Sequence, residues 1–123
     1  MCIRDREDII NHSGGNIIIK LWKKTPSNKL SKANVSCNID SLLKVVKPGT
    51  NIKLRPGQSI YIKPLTYHQF WAENGHGDVM SFEISSRNND LTDNFWLETS
   101  TRFPEIIEDA PRKYILSSEY NKL

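Results

Sequence analysis

The chain predicts an all-β fold, and three observations carry that prediction. Turn-forming clusters recur at short intervals: Ser13-Gly14-Gly15, Pro26-Ser27-Asn28, Pro48-Gly49, Arg55-Pro56-Gly57 and Asn74-Gly75-His76-Gly77. Between them lie short runs rich in β-branched and aromatic residues. Before residue 90 no stretch sustains a 3.6-residue apolar period with helix caps. Short strands at this spacing build a sandwich or a barrel.

The elements follow in order. Strands are expected at about Asn16–Trp22, Val35–Asn38, Asn51–Leu54, Ser59–Ile62, His68–Ala72 and Val79–Ser85. Leu42–Val46 reads as a further strand or as one helical turn. After residue 90 the character changes. Leu91–Asn94 and Phe103–Asp109 are acidic, and Pro104 and Pro111 interrupt regular structure, so this part is expected as an extended tail. Ile115 to Tyr120 reads as a strand or a short helix. The expected organisation is a single domain over 1–123, with a barrel core at 7–90 and a C-terminal tail at 91–123.

Composition narrows the class. A 123-residue chain is one domain or a piece of one, and 37% hydrophobic with 25% charged residues marks a globular rather than a disordered chain. No apolar run approaches the ~20 residues that span a bilayer, and Met1–Arg6 has no apolar stretch behind it, so neither membrane nor leader is expected. Cys2 and Cys37 are too few for a disulfide scaffold or a zinc ribbon, which points to a reducing, cytoplasmic compartment. The net charge of +3 divides unevenly. Residues 1–63 carry 12 Lys/Arg against 4 Asp/Glu, and residues 64–123 carry 5 against 10. The basic stretch Lys20, Lys23, Lys24, Lys29 and Lys32 lacks the interleaved aromatics that single-strand binding uses, and it reads as a solvated strand end and loop; no nucleic-acid partner is expected.

Alternation sorts the strand faces. His68, Phe70 and Ala72 share one side of their strand, opposite Tyr67, Gln69 and Trp71; Phe82 and Ile84 oppose Ser81, Glu83 and Ser85. A small barrel fills its interior with side chains or holds one small ligand. A His and a Glu on late strands are therefore candidates for a polar interior site.

The segment from Arg55 to Ala72 reads as turn, strand, turn at Pro64, then a strand opening with a histidine. It resembles the second motif of the cupin barrels, with Gly57, Pro64 and His68 in the motif's places. Six residues separate Gly57 from Pro64 and three separate Pro64 from His68, a slight departure from the usual spacing. Glu7, followed after six residues by Gly14, fits the second half of the first cupin motif; the His-x-His pair of its first half is absent. The resemblance then tightens. Glu7-Asp8-Ile9-Ile10-Asn11-His12-Ser13-Gly14-Gly15 resembles a signature of the D-lyxose isomerases, as do Pro56–Ile60 leading to Tyr67–Glu73, Phe82–Ser85, Asn88–Asp90, Thr92–Phe95 and Arg102–Ile106.

That resemblance implies a cupin-type double-stranded β-helix (jelly roll) and an aldose–ketose isomerase interconverting D-lyxose and D-xylulose with a divalent metal, usually Mn²⁺. It implies Glu7 and His68 as metal ligands, a sugar as substrate and a homodimer. By register, Cys2 stands where the second His of the missing pair belongs, and Asp5 where a lysine near the substrate belongs. Met1–Arg6 is unlike the family and is expected to be non-native, and the chain is expected to be a C-terminal portion of the enzyme.

The chemistry explains such residues. Moving hydrogen between C1 and C2 of an open-chain sugar requires a polarised carbonyl, which a bound cation supplies, and a carboxylate within reach of the transferring proton. Imidazole with carboxylate suits Mn²⁺, Fe²⁺, Zn²⁺ or Co²⁺ without choosing among them. Glu83 is the candidate base or substrate contact, set against a solvated edge carboxylate. Asp90 and Asp93 are candidate substrate contacts, set against turn capping. Arg102 is a candidate for sugar hydroxyls, set against pairing with the acidic tail. Trp71 and Trp96 are candidates for stacking on a sugar face, set against core packing. His68 itself has the alternative of a packed core histidine. The competing function is a cupin module that holds sugar without turning it over, favoured by the two missing ligands.

Overall fold

A computed structural model describes residues 2–3, 7–85, 95–97, 109–110 and 113–114. It contains ten strands: β1 (Cys2–Ile3), β2 (Glu7–Gly14), β3 (Ile17–Lys23), β4 (Val35–Ile39), β5 (Leu42–Val46), β6 (Ile52–Leu54), β7 (Ser59–Ile62), β8 (Thr66–Ala72), β9 (Val79–Ser85) and β10 (Phe95–Trp96). Among the described residues there is no helix, and so none long and apolar enough to cross a membrane. The strands form two five-stranded antiparallel sheets, ordered β10-β1-β8-β3-β6 and β5-β4-β7-β2-β9. The expected all-β, cupin-like architecture is present.

The strands expected between residues 16 and 85 are found, with ends shifted by at most two residues; the expected element at Ile115 to Tyr120 lies outside the described residues, as does most of the expected tail. Leu42–Val46 is a strand, because Asp40 and Ser41 take positive φ and turn the chain straight back from β4. β2, for which the sequence pattern predicts no strand, lies between β7 and β9 in the second sheet.

The core follows from register. Residues directly opposite in an antiparallel pair share a face. Ile17, Ile19 and Leu21 of β3 oppose Ala72, Phe70 and His68 of β8, while Ile17 and Ile19 also oppose Leu54 and Ile52. In the other sheet Glu7 and Ile9 oppose Ile62 and Ile60, and Ile60 opposes Ile39. These faces turn toward each other, and Ile9, Ile17, Ile19, Leu21, Val35, Cys37, Ile39, Ile52, Leu54, Ile60 and Ile62 pack as one buried cluster between the sheets.

The turn joining β2 to β3 leaves no room for side chains. Gly14 has φ of 89°, and a Cβ there would collide with the Asp78 carbonyl oxygen. Asn11, fully buried, fastens this turn: its amide donates to the carbonyls of Gly15 (2.9 Å) and Leu54 (3.0 Å). The Asn and the glycines of the Glu7–Gly15 run thus serve the backbone, holding β2 against both sheets.

Candidate active site

Two charged-type side chains lie deep between the sheets. Glu7 opens β2 and His68 lies within β8, each 3% exposed, with Nε2 of His68 3.0 Å from Oε2 of Glu7. Burying either alone is costly, because a low-dielectric interior disfavours an isolated charge. The sequence places them here through the pleat: Glu7 precedes Ile9 on the inner face of β2, and His68 precedes Phe70 on the inner face of β8.

The histidine's second nitrogen defines what the first can do. Nδ1 lies 3.4 Å from the Thr66 carbonyl oxygen. With its proton on Nε2 the ring donates directly to Glu7; with the proton on Nδ1, facing that carbonyl, the Nε2 lone pair faces the carboxylate and a cation can stand between them. Two donors about 2.1 Å from one cation and at right angles stand about 3.0 Å apart, so the observed separation suits a cation as well as a direct hydrogen bond. The donor set therefore fits a divalent ion.

Glu83 lies on the same inner face. It opposes Ile9, while Ser85 opposes Glu7 and Ser81 opposes Asn11. Its Cα thus stands diagonal to that of Glu7 across the β2–β9 ladder, at a separation of about 7–8 Å. Unlike Glu7 it is exposed. Phe82 and Ile84, on the outward face, are also exposed, at 51% and 60%. The apolar side of β9 thus faces out and its polar side faces in. Phe70, next after His68 on the inner face of β8, is 41% exposed, so the interior is open beside the Glu7–His68 pair.

The remaining candidates separate. Asp90, Asp93 and Arg102 lie outside the described residues. Trp71 is on the outward face of β8, with the Lys20 ammonium 5.6 Å from its ring centroid; Lys20 therefore points outward too. Trp96 belongs to β10 and pairs with Cys2. The backbone of Cys2 in turn opposes His68, which places residue 2 beside the histidine in the ladder. Among the described residues no three His, Cys, Asp or Glu side chains gather into one cluster.

The other two histidines are surface groups. His12 packs edge-on against Phe82, with ring centroids 4.9 Å apart, and His76 lies 3.6 Å from Glu73. Glu73 is the centre of its own network: Lys53 at 2.6 Å and the Asn16 amide at 2.7 Å hold its carboxyl below the usual range. It ties the end of β8 to β6 and to the start of β3, away from the interior.

The family model described as D-lyxose isomerase matches residues 2–120. Two curated proteins named D-lyxose/D-mannose isomerase are similar. The one from Escherichia coli O157:H7 is 40% identical over 119 residues, 97% of this chain and 52% of its own length. The one from Serratia proteamaculans is 40% identical over 117 residues, 95% of this chain and 51% of its own. The chain spans about half the length of these curated relatives. With the family model covering nearly all of it, the chain belongs to the D-lyxose isomerase family.

Proposed function

We propose that this chain carries the active-site cupin of a metal-dependent sugar isomerase that interconverts D-lyxose and D-xylulose. The supporting observation is the buried Glu7–His68 pair, with donors 3.0 Å apart, opening onto an inner face that also bears Glu83. Glu7 and His68 would hold the cation, for which Mn²⁺ suits the nitrogen and oxygen donors. When bound, the ion polarises the sugar carbonyl and acidifies the neighbouring hydroxyl. The Glu83 carboxylate removes the proton from C2 of the aldose. The C2–H electrons form the C1–C2 double bond, the carbonyl π electrons move to its oxygen, and that oxygen takes up a proton from water. Glu83 then returns its proton to C1 while the hydroxyl at C2 gives its own to water, leaving the ketose. The exposure of Glu83 and Phe70 lets the sugar reach this face. Glu83→Gln keeps the shape and removes the basicity. In a full-length isomerase of the family that carries this segment, it is expected to lower turnover ~10²–10⁴-fold with metal content unchanged. Near-normal turnover with metal retained removes Glu83 from the mechanism.

A second reading has its own support. Because no three potential ligands cluster among the described residues, the chain by itself fits a module that binds sugar without turning it over. Tight Mn²⁺ binding by the isolated chain in a calorimetric titration contradicts that reading.

A further inference from the structure

The basic stretch that begins at the end of β3 borders a cavity. Residues 9–72 hold ten Lys and Arg and one acidic residue, Asp40. Asp40 follows the far end of β4, where it accepts from the Ser59 N–H and the Gln58 amide. A cavity of about 210 Å³ opens at the other end of that strand. Lys23, Lys24 and Lys63 stand in its walls, with apolar surface from Val35 and the Pro64-Leu65 turn. Among the described residues no Asp or Glu lines it.

The backbone that carries these lysines is fixed. Lys23 opposes Thr66 in the β3–β8 ladder. The Ser31 N–H donates to the Lys23 carbonyl (2.9 Å), and the Lys24 N–H donates to the Leu65 carbonyl (3.1 Å). The Tyr67 hydroxyl donates to the Asn28 carbonyl (3.0 Å), so the loop at 24–34 is held against the strands. The Lys63 ammonium donates to the Ser36 hydroxyl (3.2 Å), between β7 and β4. Three ammonium groups around one space repel one another, and an anion among them offsets that repulsion. A phosphate group carries a charge of about −1.5 to −2 at pH 7 and three strong acceptor oxygens, and lysine meets it as a point charge. The space equals about seven waters at ~30 Å³ each, enough for a phosphate group and the first carbons of an ester. Val35, Pro64, Leu65 and the lysine methylene stems suit such carbons.

We propose that this cavity binds a phosphate group, free or ester-linked to a small molecule, through Lys23, Lys24 and Lys63. Thr66 lines the cavity and turns its carbonyl toward Nδ1 of His68, 3.4 Å away. The site is thus distinct from the Glu7–His68 pair and does not depend on the isomerase reading. The test titrates the chain with inorganic phosphate and with phenyl phosphate, at ionic strength held constant with NaCl, and follows amide chemical shifts. Both anions are expected to shift Lys24, Ser36, Leu65 and Thr66 saturably, phenyl phosphate binding about threefold or more tightly through the apolar wall. Equal affinity for the two assigns the site to free phosphate and supports the proposal as well. Lys23→Gln and Lys63→Gln are each expected to weaken both anions about fivefold or more, as the loss of one partly exposed charge contact; where one variant fails to fold, the other decides. Lys20→Gln, whose lysine lies over Trp71 on the outward face, is expected to bind like the parent. Shifts that NaCl alone reproduces, or folded Lys23 and Lys63 variants that bind like the parent, overturn the proposal.

Discussion

The interior has two halves, built by the same ladders and filled differently. Between β3, β4, β6 and β7 the inner positions are Ile, Leu, Val and the buried Cys37, closed to solvent. Along the edges formed by β8 and β9 they are His68, Phe70, Ser81, Glu83 and Ser85, with Glu7 between the two halves on β2. Strand alternation decides only which side chains face in. What stands at those positions decides whether the space is sealed by apolar packing or left open for chemistry. The exchange is visible on β9, where Phe82 and Ile84 face outward and exposed while Glu83 faces in.

Substitutions separate the halves. Ile19→Ala, in the closed half, is expected to cost about 2–5 kcal/mol, the usual sum of lost burial and residual cavity. Denaturant unfolding measures it, and a cost below about 1 kcal/mol means that this half is loosely packed. Glu7→Gln, at the boundary, is expected to abolish divalent-cation binding and to change stability by less than about 1 kcal/mol, because the amide keeps the shape and a hydrogen bond to His68. A loss of about 3–5 kcal/mol, as when one member of a buried ion pair is removed, makes the pair a structural strut instead.

The smallest effect lies outside both halves, at the β4–β5 turn. The Ser59 N–H and the Gln58 side-chain amide donate to Asp40 and hold its carboxyl below the usual value. A carboxyl with a depressed folded-state pKa stabilises the fold fully above its ordinary value of about 3.9 and loses that contribution as pH falls through the folded value. Asp40→Asn should therefore be slightly less stable than the parent at pH 7, with a smaller difference at acid pH. Urea unfolding of both proteins at pH 7 and at acid pH checks this; a difference that persists undiminished in acid assigns the effect to turn geometry.

The closed half was readable in the sequence and the open half only in part. β3, β4, β7 and β8 announce themselves by β-branched runs between turn residues. β2 does not, because Glu7 and Asn11 occupy inner positions where alternation leads one to expect apolar side chains. β9 was found as a strand, yet its pattern is reversed, and only its register against Ile9 shows that Glu83 faces inward. His68 was flagged by Gly57 and Pro64, which supply the turns before its strand. Its closeness to Glu7 is a contact across 61 positions, which no local pattern encodes. Asn11 carried no chemical signal, since its partners are the carbonyls of Gly15 and Leu54.

The central claim is that Glu7 and His68 form part of a divalent-cation site, and residue 2 offers the most direct test. Its backbone opposes His68 in the β1–β8 ladder, and it is the position where the family resemblance implies a histidine, so Cys2→His supplies the donor that the resemblance implies. Calorimetric titration of Mn²⁺ into the parent chain, into Cys2→His and into Cys2→His combined with His68→Ala measures the effect. The account predicts weak binding by the parent, affinity at least about tenfold higher for Cys2→His, about 1.4 kcal/mol, and loss of that gain when His68 is also removed. Equal affinity for all three proteins would contradict it.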